Sequence, residues 1–436
     1  MDIRLCLIVA GFLLAAVAGD VSAVLRAFLS TFADEKFVVP ICSAMGFAYV
    51  LRFTGCDQHL VQLLVKPLRR CRSLLIPGTV AVGFLVNMPV VSQTSTAVTI
   101  GSVVIPVLQA ARVPPVTIGS ALLLGSSIGG ELLNQGAPEL RTTVTESQKA
   151  AESVKMDAAE FTGAQCVRRI LPLNLLGLVV ATAVFWWLSR RDRMPLEPDS
   201  EEGASRAEGE PFRVNYLRAF VPLIPLILLY AAAPPLELIQ VDREWLVDPR
   251  RADAAGLFGS RLVGTAMLIG VLAAALATPA CIPGSVRAFF EGAGYGFTHI
   301  ISLIVAASCF GAGIKEIGVA DLLGELLRLA PGLLLPLAGL LPLAFAVLCG
   351  SGMAATQSLF GFFAGPALAA GADPLQVGAV VSLAAAAGRT MSPVSAVCLM
   401  CAELTDTRPL QLARRVALPL LCSVISIVIA AMIFGP

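Results

Sequence analysis

The segment Ala387–Ser395 reads Ala-Gly-Arg-Thr-Met-Ser-Pro-Val-Ser and lies between two apolar stretches, Leu375–Ala387 and Ser395–Cys401. Proline lacks a backbone donor and disfavours helix at the residue before it, so the chain is expected to unwind near Ser392. Arg389 is then a charge in an apolar environment, where an ionisable residue is costly and usually functional. A guanidinium binds a carboxylate through two parallel hydrogen bonds. The segment predicts a broken transmembrane helix that carries an anion-binding arginine, and the hydroxyl residues beside it are Thr390, Ser392 and Ser395.

The rest of the chain supplies the apolar environment that this segment requires. Hydrophobic residues make up 57% of the 436 residues and charged residues 14%, whereas soluble domains carry about 25% charged residues. Continuous apolar runs recur, many close to the ~20 residues that cross a bilayer as a helix, and their continuity excludes a β-barrel. The composition predicts an all-α polytopic membrane protein in the lipid bilayer, expected as a multi-pass protein of a bacterial inner membrane. The net charge of +1 indicates no nucleic-acid partner.

The sequence contains one pattern twice, on either side of the polar segment Ser189–Phe212. The matching features have a nearly constant separation along the chain, which indicates an internal duplication. They are Val24–Phe28 with Ser285–Phe289, Gly55 with Gly318, Pro106 and Pro114 with Pro366 and Pro374, and Arg168–Pro172 with Arg414–Pro419. We therefore predict a first membrane repeat at residues 1–190, a linker with one extra transmembrane helix at 191–258, and a second membrane repeat at 259–436. The apolar run Ile3–Gly19 matches Leu262–Ala280, so it is expected to belong to the fold rather than to a signal peptide.

The distribution of basic residues predicts that the two repeats are inverted. The connector after Gly55 is strongly basic, which marks a cytoplasmic position under the positive-inside rule. The counterpart connector around Gly318 has no basic excess, as expected if it lies on the opposite face. The charged residues are Lys66, Arg69, Arg70 and Arg72 in the first connector, and Lys315, Glu316, Asp321, Glu325 and Arg328 in the second. Inverted repeats place a substrate site near the middle of the membrane, at the interface between the repeats.

Each repeat contains a polar tip between short apolar arms, which predicts a re-entrant hairpin. The first tip is Asn87–Thr96 and the second is Cys349–Ser358. Irregular backbone at membrane depth is tolerated where protein buries it or where it lines a wet cavity. Hydroxyl groups and free amides at helix N-termini bind ions there, although serine and threonine also simply pack between helices. The candidate substrate-binding residues of the tips are Ser92, Thr94, Ser95, Ser351, Gly352 and Thr356.

The first repeat has its own proline-containing break at Gly129–Thr142, which reads Gly-Gly-Glu-Leu-Leu-Asn-Gln-Gly-Ala-Pro-Glu-Leu-Arg-Thr. Pro138 corresponds to Pro393, so a second broken helix is expected. Asn134 and Arg141 are the candidate substrate-binding residues, and Arg141 is again a cation near the break. Two acids, Glu131 and Glu139, are candidates for coupling to a proton or to sodium. Alternatively, they neutralise Arg141.

At Gly388–Ser395 the chain resembles the DcuC family of C4-dicarboxylate carriers, and the segments Gly350–Gly352 and Gly55–Pro67 resemble the second hairpin and early connector of that family. The resemblance implies the fold of the ion-transporter superfamily, with inverted repeats, re-entrant hairpins, elevator-like movement and a homodimer. It implies exchange or efflux of acids of the succinate and fumarate type. It points to Ser351, Gly352, Arg389, Thr390, Ser392 and Ser395 as site residues. The first break departs from the small-polar pattern of the family, which leaves the substrate and the coupling ion open.

The leading hypothesis is a secondary active transporter of small dicarboxylates such as succinate, fumarate or malate, with one arginine near each break for the two carboxylates. It requires no cofactor and no metal site, and its coupling ion is Na⁺ or H⁺. The alternatives are a gluconate-type sugar-acid symporter and a Na⁺/H⁺ antiporter, which Glu131 and Glu139 would suit. A remote alternative is an intramembrane enzyme, but the sequence has no HExxH motif and no P-loop.

Overall fold

The computed structural model describes residues 3–66, 74–190, 213–232, 238–248, 254–318, 325 and 330–434. All the regular elements in these residues are helices, which confirms the predicted all-α class. Most of the polar segment Ser189–Phe212 lies outside the described residues. The same holds for Arg69, Arg70 and Arg72 of the first connector and for Asp321 and Arg328 of the second.

The first half of the chain forms nine α-helices among the described residues. They are α1 (Ile3–Ala18), α2 (Val21–Phe32), α3 (Glu35–Thr54), α4 (Cys56–Val65), α5 (Leu75–Asn87), α6 (Gln93–Ala110), α7 (Pro115–Ser127), α8 (Pro138–Ser153) and α9 (Gly163–Ser189). A 3₁₀ helix, Gly130–Leu133, lies between α7 and α8, and another, Ala158–Glu160, precedes α9.

Three short helices follow, and nine further α-helical segments complete the described part of the chain. The short helices are α10 (Tyr216–Phe220), α11 (Ile224–Ala231) and α12 (Arg243–Leu246). The later helices are α13 (Ala254–Ala277), α14 (Ile282–Tyr295), α15 (Ser302–Glu316), α16 (Leu334–Cys349), α17 (Gly352–Leu359), α18 (Gly361–Ala369), α19 (Pro374–Met391), α20 (Ala396–Leu404) and α21 (Pro409–Phe434). A π-helical turn, Gly296–Ile301, joins α14 directly to α15.

Six helical segments in the described residues are long and apolar enough to cross a membrane, or seven if α19 and α20 form one bent span. The six are Glu35–Thr54, Pro115–Ser153, Gly163–Ser189, Leu257–Ala277, Pro279–Glu316 and Pro409–Phe434. Helices α5 and α16 have 13 and 16 residues, which is shorter than the ~20 residues of a full span. Each of them leads into one of the polar tips.

The two halves pack on each other through reciprocal contacts. The first helix of each half lies against the third long helix of the other half, α1 on α15 and α13 on α3. Within each half, the arm that enters the hairpin packs on the helix that breaks, α5 on α7 and α16 on α19. Such reciprocity is the pattern produced when two related halves face each other.

Small residues permit the closest of these contacts. A Cβ atom on Gly388 of α19 would collide with the carbonyl oxygen of Leu343 on α16, and a Cβ atom on Gly83 of α5 would lie 2.5 Å from the carbonyl carbon of Gly125 on α7. In membranes, where lipid removes most of the hydrophobic drive for helix association, such close backbone approach contributes much of the packing energy. The glycines therefore fix the broken helices beside the hairpins.

Candidate functional site

The first break begins where α7 ends at Ser127. Gly129 adopts a left-handed conformation with φ 108°, which glycine tolerates without strain, and α8 restarts at Pro138. The carbonyl groups freed by the break find partners: Asn174 Nδ2 donates to the Gly129 oxygen at 2.7 Å, and the Tyr230 hydroxyl donates to the Leu133 oxygen. These two carbonyl groups of the irregular backbone therefore accept hydrogen bonds from neighbouring helices, as burial in a membrane protein requires.

The second break lies where the sequence predicts it. Helix α19 ends at Met391, Ser392 is extended (φ −83°, ψ 124°), and α20 begins after Ser395. The Ser395 hydroxyl accepts a hydrogen bond from the Cys398 backbone N–H at 3.4 Å, as an N-cap residue does. The two half-helices are bent by 41° relative to each other. The prediction of an interrupted helix near Ser392 is confirmed.

A buried ion cluster joins the two breaks. The Arg389 guanidinium, on the last turn of α19, lies 2.6 Å from Glu131 Oε1 through Nη2 and 3.5 Å from Glu139 Oε1 through Nη1. Arg389 is 6% exposed, Glu139 3% and Glu131 0%. The three charges are therefore nearly removed from solvent, where an ion pair is weakly screened and removal of one partner costs ~3–5 kcal/mol.

Ser127 holds the arginine and the following threonine against the end of α7. Arg389 Nη2 donates to the Ser127 carbonyl oxygen at 3.0 Å and Nε donates to the Ser127 hydroxyl at 3.3 Å. The Thr390 hydroxyl lies 2.9 Å from the same carbonyl oxygen and 2.8 Å from the same hydroxyl. The C-terminal end of α7 thus meets the last turn of α19, and helix C-termini favour cations.

The first hairpin tip reaches the cluster directly. Gln93 Nε2, at the start of α6, donates to Glu131 Oε1 at 3.0 Å, so this carboxylate oxygen is shared by the glutamine and Arg389. Asn87 Oδ1 accepts from the Glu131 backbone N–H at 3.2 Å, and Asn134 Nδ2 donates to the Met88 carbonyl oxygen at 2.9 Å. The hairpin and the first break are therefore one hydrogen-bonded unit.

The predicted residues of the two tips cap helices that begin at the tips. The Ser92 hydroxyl accepts from the Ser95 N–H at 3.4 Å and lies 3.2 Å from the Thr94 hydroxyl. In the second tip, the Ser351 hydroxyl accepts from the Ala354 N–H at 3.1 Å at the start of α17. Both caps leave the helix N-termini pointing into the polar region.

The second tip lies against the second break. Gly350 has φ 71°, and a Cβ atom at this position would be 3.1 Å from the backbone nitrogen of Ser395. A Cβ atom on Gly352 would be 3.1 Å from the Ala385 carbonyl oxygen on α19. Glycine at these two positions therefore permits the tip to approach the broken helix closely.

Several buried polar atoms around these elements have no hydrogen-bond partner among the described residues. Most belong to the second tip and to the two breaks. Those atoms are Glu131 Oε2, Gln135 Nε2, Arg141 Nε, Thr356 Oγ1, Gln357 Oε1 and Nε2, Ser358 Oγ and Ser392 Oγ. Buried polar groups are nearly always paired, so an unpaired set in one region indicates hydrogen-bonding capacity that a ligand or water can use.

Arg141 does not join this cluster. Its guanidinium contacts the Ser260 hydroxyl on α13 and the Lys36 carbonyl oxygen at the start of α3, at 3.4 Å for the latter. It also lies after its break, one turn inside α8, whereas Arg389 precedes its own break. The two arginines therefore do not occupy equivalent positions, and Glu131 and Glu139 face Arg389 rather than Arg141.

Sequence reasoning missed Ser127 as a site residue, and it named Gln93 and Gln357 only as members of the tips. Ser127 also completes a match to the pattern G-x-S-x-G at Gly125–Gly129. In hydrolases this serine stands on a strand-to-helix turn with a histidine base. Here Ser127 ends a helix and bonds to Arg389 and Thr390, so the match carries no hydrolase geometry.

Comparisons with known proteins identify the family of the whole chain. Residues 36–435 match the family described as C4-dicarboxylate anaerobic carrier, DcuC. The chain is 24% identical over 403 residues to a probable anaerobic C4-dicarboxylate transporter DcuC of Vibrio cholerae, covering 90% of this chain and 80% of the relative. It is 23% identical over 408 residues to the anaerobic C4-dicarboxylate transporter DcuC of Escherichia coli K12, covering 90% and 79%.

The fold also has a solved counterpart. The crystal structure of the YdaH transporter of Alcanivorax borkumensis, noted for an unusual topology, superposes with a TM-score of 0.59 at 17% identity over 94% of this chain and 90% of that one. The family and these relatives are transporters rather than enzymes. With helices long and apolar enough to cross a membrane, two helix breaks and a family match over nearly the whole sequence, the chain belongs to the DcuC family of C4-dicarboxylate anaerobic carriers and is a multi-pass membrane transporter.

Proposed function

We propose that this protein is a secondary active transporter that exchanges small dicarboxylates of the succinate, fumarate and malate type across a bacterial inner membrane. The observation that carries the proposal is the buried Arg389 at the junction of the two helix breaks. A guanidinium recognises a carboxylate through its planar fork, and an ionisable residue inside a membrane protein marks a substrate or ion pathway.

Helix N-termini supply the remaining attraction for an anion. Helices α6, α8, α17 and α20 all begin at a tip or after a break, where unpaired N–H groups and the helix dipole favour negative charge. We propose that the second carboxylate of the substrate binds at the second tip. The unpaired buried atoms of Thr356 and Ser392 support this location, together with the caps Ser351 and Ser395.

We propose that the two halves are inverted repeats bounded at residues 1–190 and 259–436, with re-entrant hairpins at the tips. The courses of α3 and α14 support the inversion. Phe53 at the end of α3 contacts Gly284 at the start of α14, while Cys42 contacts Gly296 beyond the end of α14, so the two helices run antiparallel. We also propose that the broken helices move in an elevator-like manner and that the protein is a homodimer. Both proposals rest on the family resemblance alone.

An exchange experiment tests the proposed function. Purified full-length protein is reconstituted in vesicles loaded with succinate, labelled fumarate is added outside, and initial uptake is measured. We expect rapid exchange that unlabelled gluconate does not inhibit; absence of exchange under every ion gradient would refute the proposal, and gluconate uptake would favour the sugar-acid alternative.

A conservative variant tests the role of Arg389. Arg389→Lys keeps the charge but loses the bidentate fork, so we expect exchange to fall by about tenfold or more, which corresponds to ~1.4 kcal/mol or more of lost transition-state stabilisation. Arg169→Lys is the matched control, because Arg169 forms an ion pair with Asp373 at 2.7 Å and its side chain is 53% exposed. Equal exchange rates in both variants would remove Arg389 from the site.

A further inference from the structure

Arg389 is already occupied by two carboxylates. Nη2 lies 2.6 Å from Glu131 and Nη1 lies 3.5 Å from Glu139, and all three side chains are buried. When all three groups are ionised, the cluster carries one unbalanced negative charge. A buried charge without a counter-charge is costly, so the ionised cluster readily takes up protons.

Among the described residues, no further charged group forms an ion pair with the cluster. All described partners of Glu131, Glu139 and Arg389 are within the site: Gln93, Asn87 and Ser127 are the neutral ones. Helices α5, α7, α16, α17 and α18, which pack against α8, α19 or the 3₁₀ helix between α7 and α8, have no charged residue. The charged or titratable groups of the other elements around the cluster form no described ion pair with it. They are Glu35, Lys36, Cys42, Tyr49, Arg52, Arg141, Glu146, Lys149, Glu152, Glu160, Cys166, Arg168, Arg169, Tyr230, Arg414, Arg415 and Cys422, together with Cys349 of α16.

A dicarboxylate that approaches Arg389 must therefore compete with two anions for one cation. If Glu131 and Glu139 stayed ionised, a bound dianion would leave three uncompensated negative charges in a buried site. If both are protonated, the bound dianion leaves one uncompensated charge, and the N-terminus of α8 lies beside the cluster because Glu139 is in its first turn. The first arrangement is excluded by the cost of burying like charges, and the second is accessible.

On the basis of the proposed function, we infer that Glu131 and Glu139 are the proton-carrying groups of this transporter. An organic-acid carboxylate replaces Glu131 on Arg389 in the state in which both glutamates are protonated. One proton is added to Glu131 Oε2, the carboxylate oxygen that has no partner in the described structure, and Gln93 keeps its hydrogen bond to Oε1. The second proton is added to the carboxylate of Glu139.

The cycle closes when the substrate leaves. Both carboxyl groups then release their protons to the side on which the substrate is released, and Glu131 returns to Arg389. Two protons thus accompany one dianion, and the net translocation carries no charge. Proton transport and dicarboxylate transport are coupled because Glu131 competes with the substrate for Arg389.

Gradient-driven uptake into proteoliposomes of the full-length wild-type protein tests this inference. The probe is labelled fumarate, because its carboxyl groups stay ionised from about pH 6 to about pH 8. Sodium is replaced by potassium on both sides. An acidic exterior should then drive fumarate into the vesicles until its internal concentration is several-fold above its equilibrium value. A proton ionophore should abolish this accumulation, and a potassium diffusion potential should leave it unchanged.

Substitutions of the two glutamates test whether these residues carry the protons that drive fumarate accumulation. Glu131→Gln and Glu139→Gln preserve the shape of each side chain but cannot carry a proton, and each should reduce the pH-driven accumulation at least about fivefold. Glu146→Gln is the matched control on the same helix, because Glu146 pairs with Lys149 at 2.7 Å outside the cluster, and it should accumulate fumarate like the wild type.

The possible outcomes distinguish the proton-carrying role of Glu131 and Glu139 from the proposed dicarboxylate exchange. Fumarate–succinate exchange in the wild type without accumulation under a pH gradient, or with accumulation under a sodium gradient instead, overturns the proton-carrying role and leaves the proposed function intact. Absence of exchange in the wild type overturns both. If a variant fails to fold, as judged by size-exclusion chromatography in detergent, the wild-type gradient measurement decides the question alone.

Discussion

Among single residues, Arg141 departs most from the role that the sequence pattern predicts. The pattern pairs it with Arg389 as the second carboxylate-binding arginine. Its guanidinium instead lies between α8, the Ser260 hydroxyl of α13 and the Lys36 carbonyl oxygen. It connects the second half of the broken helix to α3 and α13, and it forms no described hydrogen bond or ion pair with the ion cluster.

Arg141→Gln should therefore lower the maximal exchange rate more than it changes the affinity for substrate. We expect the KM for fumarate to stay within about twofold and the rate to fall, because a contact between helices is weakened while the binding groups are untouched. Initial exchange rates over a range of fumarate concentrations measure both quantities. Arg168→Gln, an exposed arginine on α9, is the control. A raised KM at an unchanged maximal rate would instead return Arg141 to the substrate site.

Among the elements, the contact between α16 and α19 depends on Gly388. A Cβ atom there would collide with the Leu343 carbonyl oxygen and lie 2.8 Å from the Ala346 side chain. A backbone carbonyl cannot move aside like a flexible side chain, so Gly388→Ala should destabilise the protein by ~1–3 kcal/mol. Denaturant or thermal unfolding in detergent measures the loss.

Gly365→Ala provides the comparison. Gly365 lies inside α18, and a Cβ atom there would meet no heavy atom within 4 Å. Alanine in a helix interior is favoured over glycine by ~0.5–1 kcal/mol, so this variant should be neutral or slightly more stable. If both variants lost stability equally, the close approach of α16 to Gly388 would not be the cause.

The breaks were predictable because their causes are local. Pro393 disfavours helix at Ser392, and the polar tips interrupt otherwise apolar runs. Proline alone does not decide a break, since Pro172 and Pro419 lie inside α9 and α21. The partners of Arg389 were not predictable in this way. Glu131 and Ser127 lie far from Arg389 along the chain, and their contact depends on how α7 and α19 pack, which proline and glycine signals do not encode. Aligning Arg141 with Arg389 by proximity to proline also overlooked that they lie on opposite sides of their breaks.

In the molecule as a whole, the directions of the packed helices constrain the topology. Arg4 Nη1 of α1 donates to the Ser302 hydroxyl at 3.1 Å, and Gly11 lies against Cys309 and Gly313, so α1 and α15 run parallel. Helix α3 runs antiparallel to α14, which continues into α15. The C-terminal ends of α3 and α15, which the proposed duplication pairs with each other, therefore point in opposite directions.

Labelling of single cysteines tests whether this arrangement spans the membrane as inverted repeats. Arg52 near the end of α3 and Lys315 near the end of α15 are both exposed. The basic residues that follow α3 favour the cytoplasmic side. In a chain whose own cysteines have been replaced, Lys315→Cys should react with a membrane-impermeant maleimide on spheroplasts of the producing cells, whereas Arg52→Cys should react only after permeabilisation. Equal reactivity of both positions from one side would place the two ends on the same face and contradict inversion, because antiparallel packing of the corresponding helices requires their ends to lie apart.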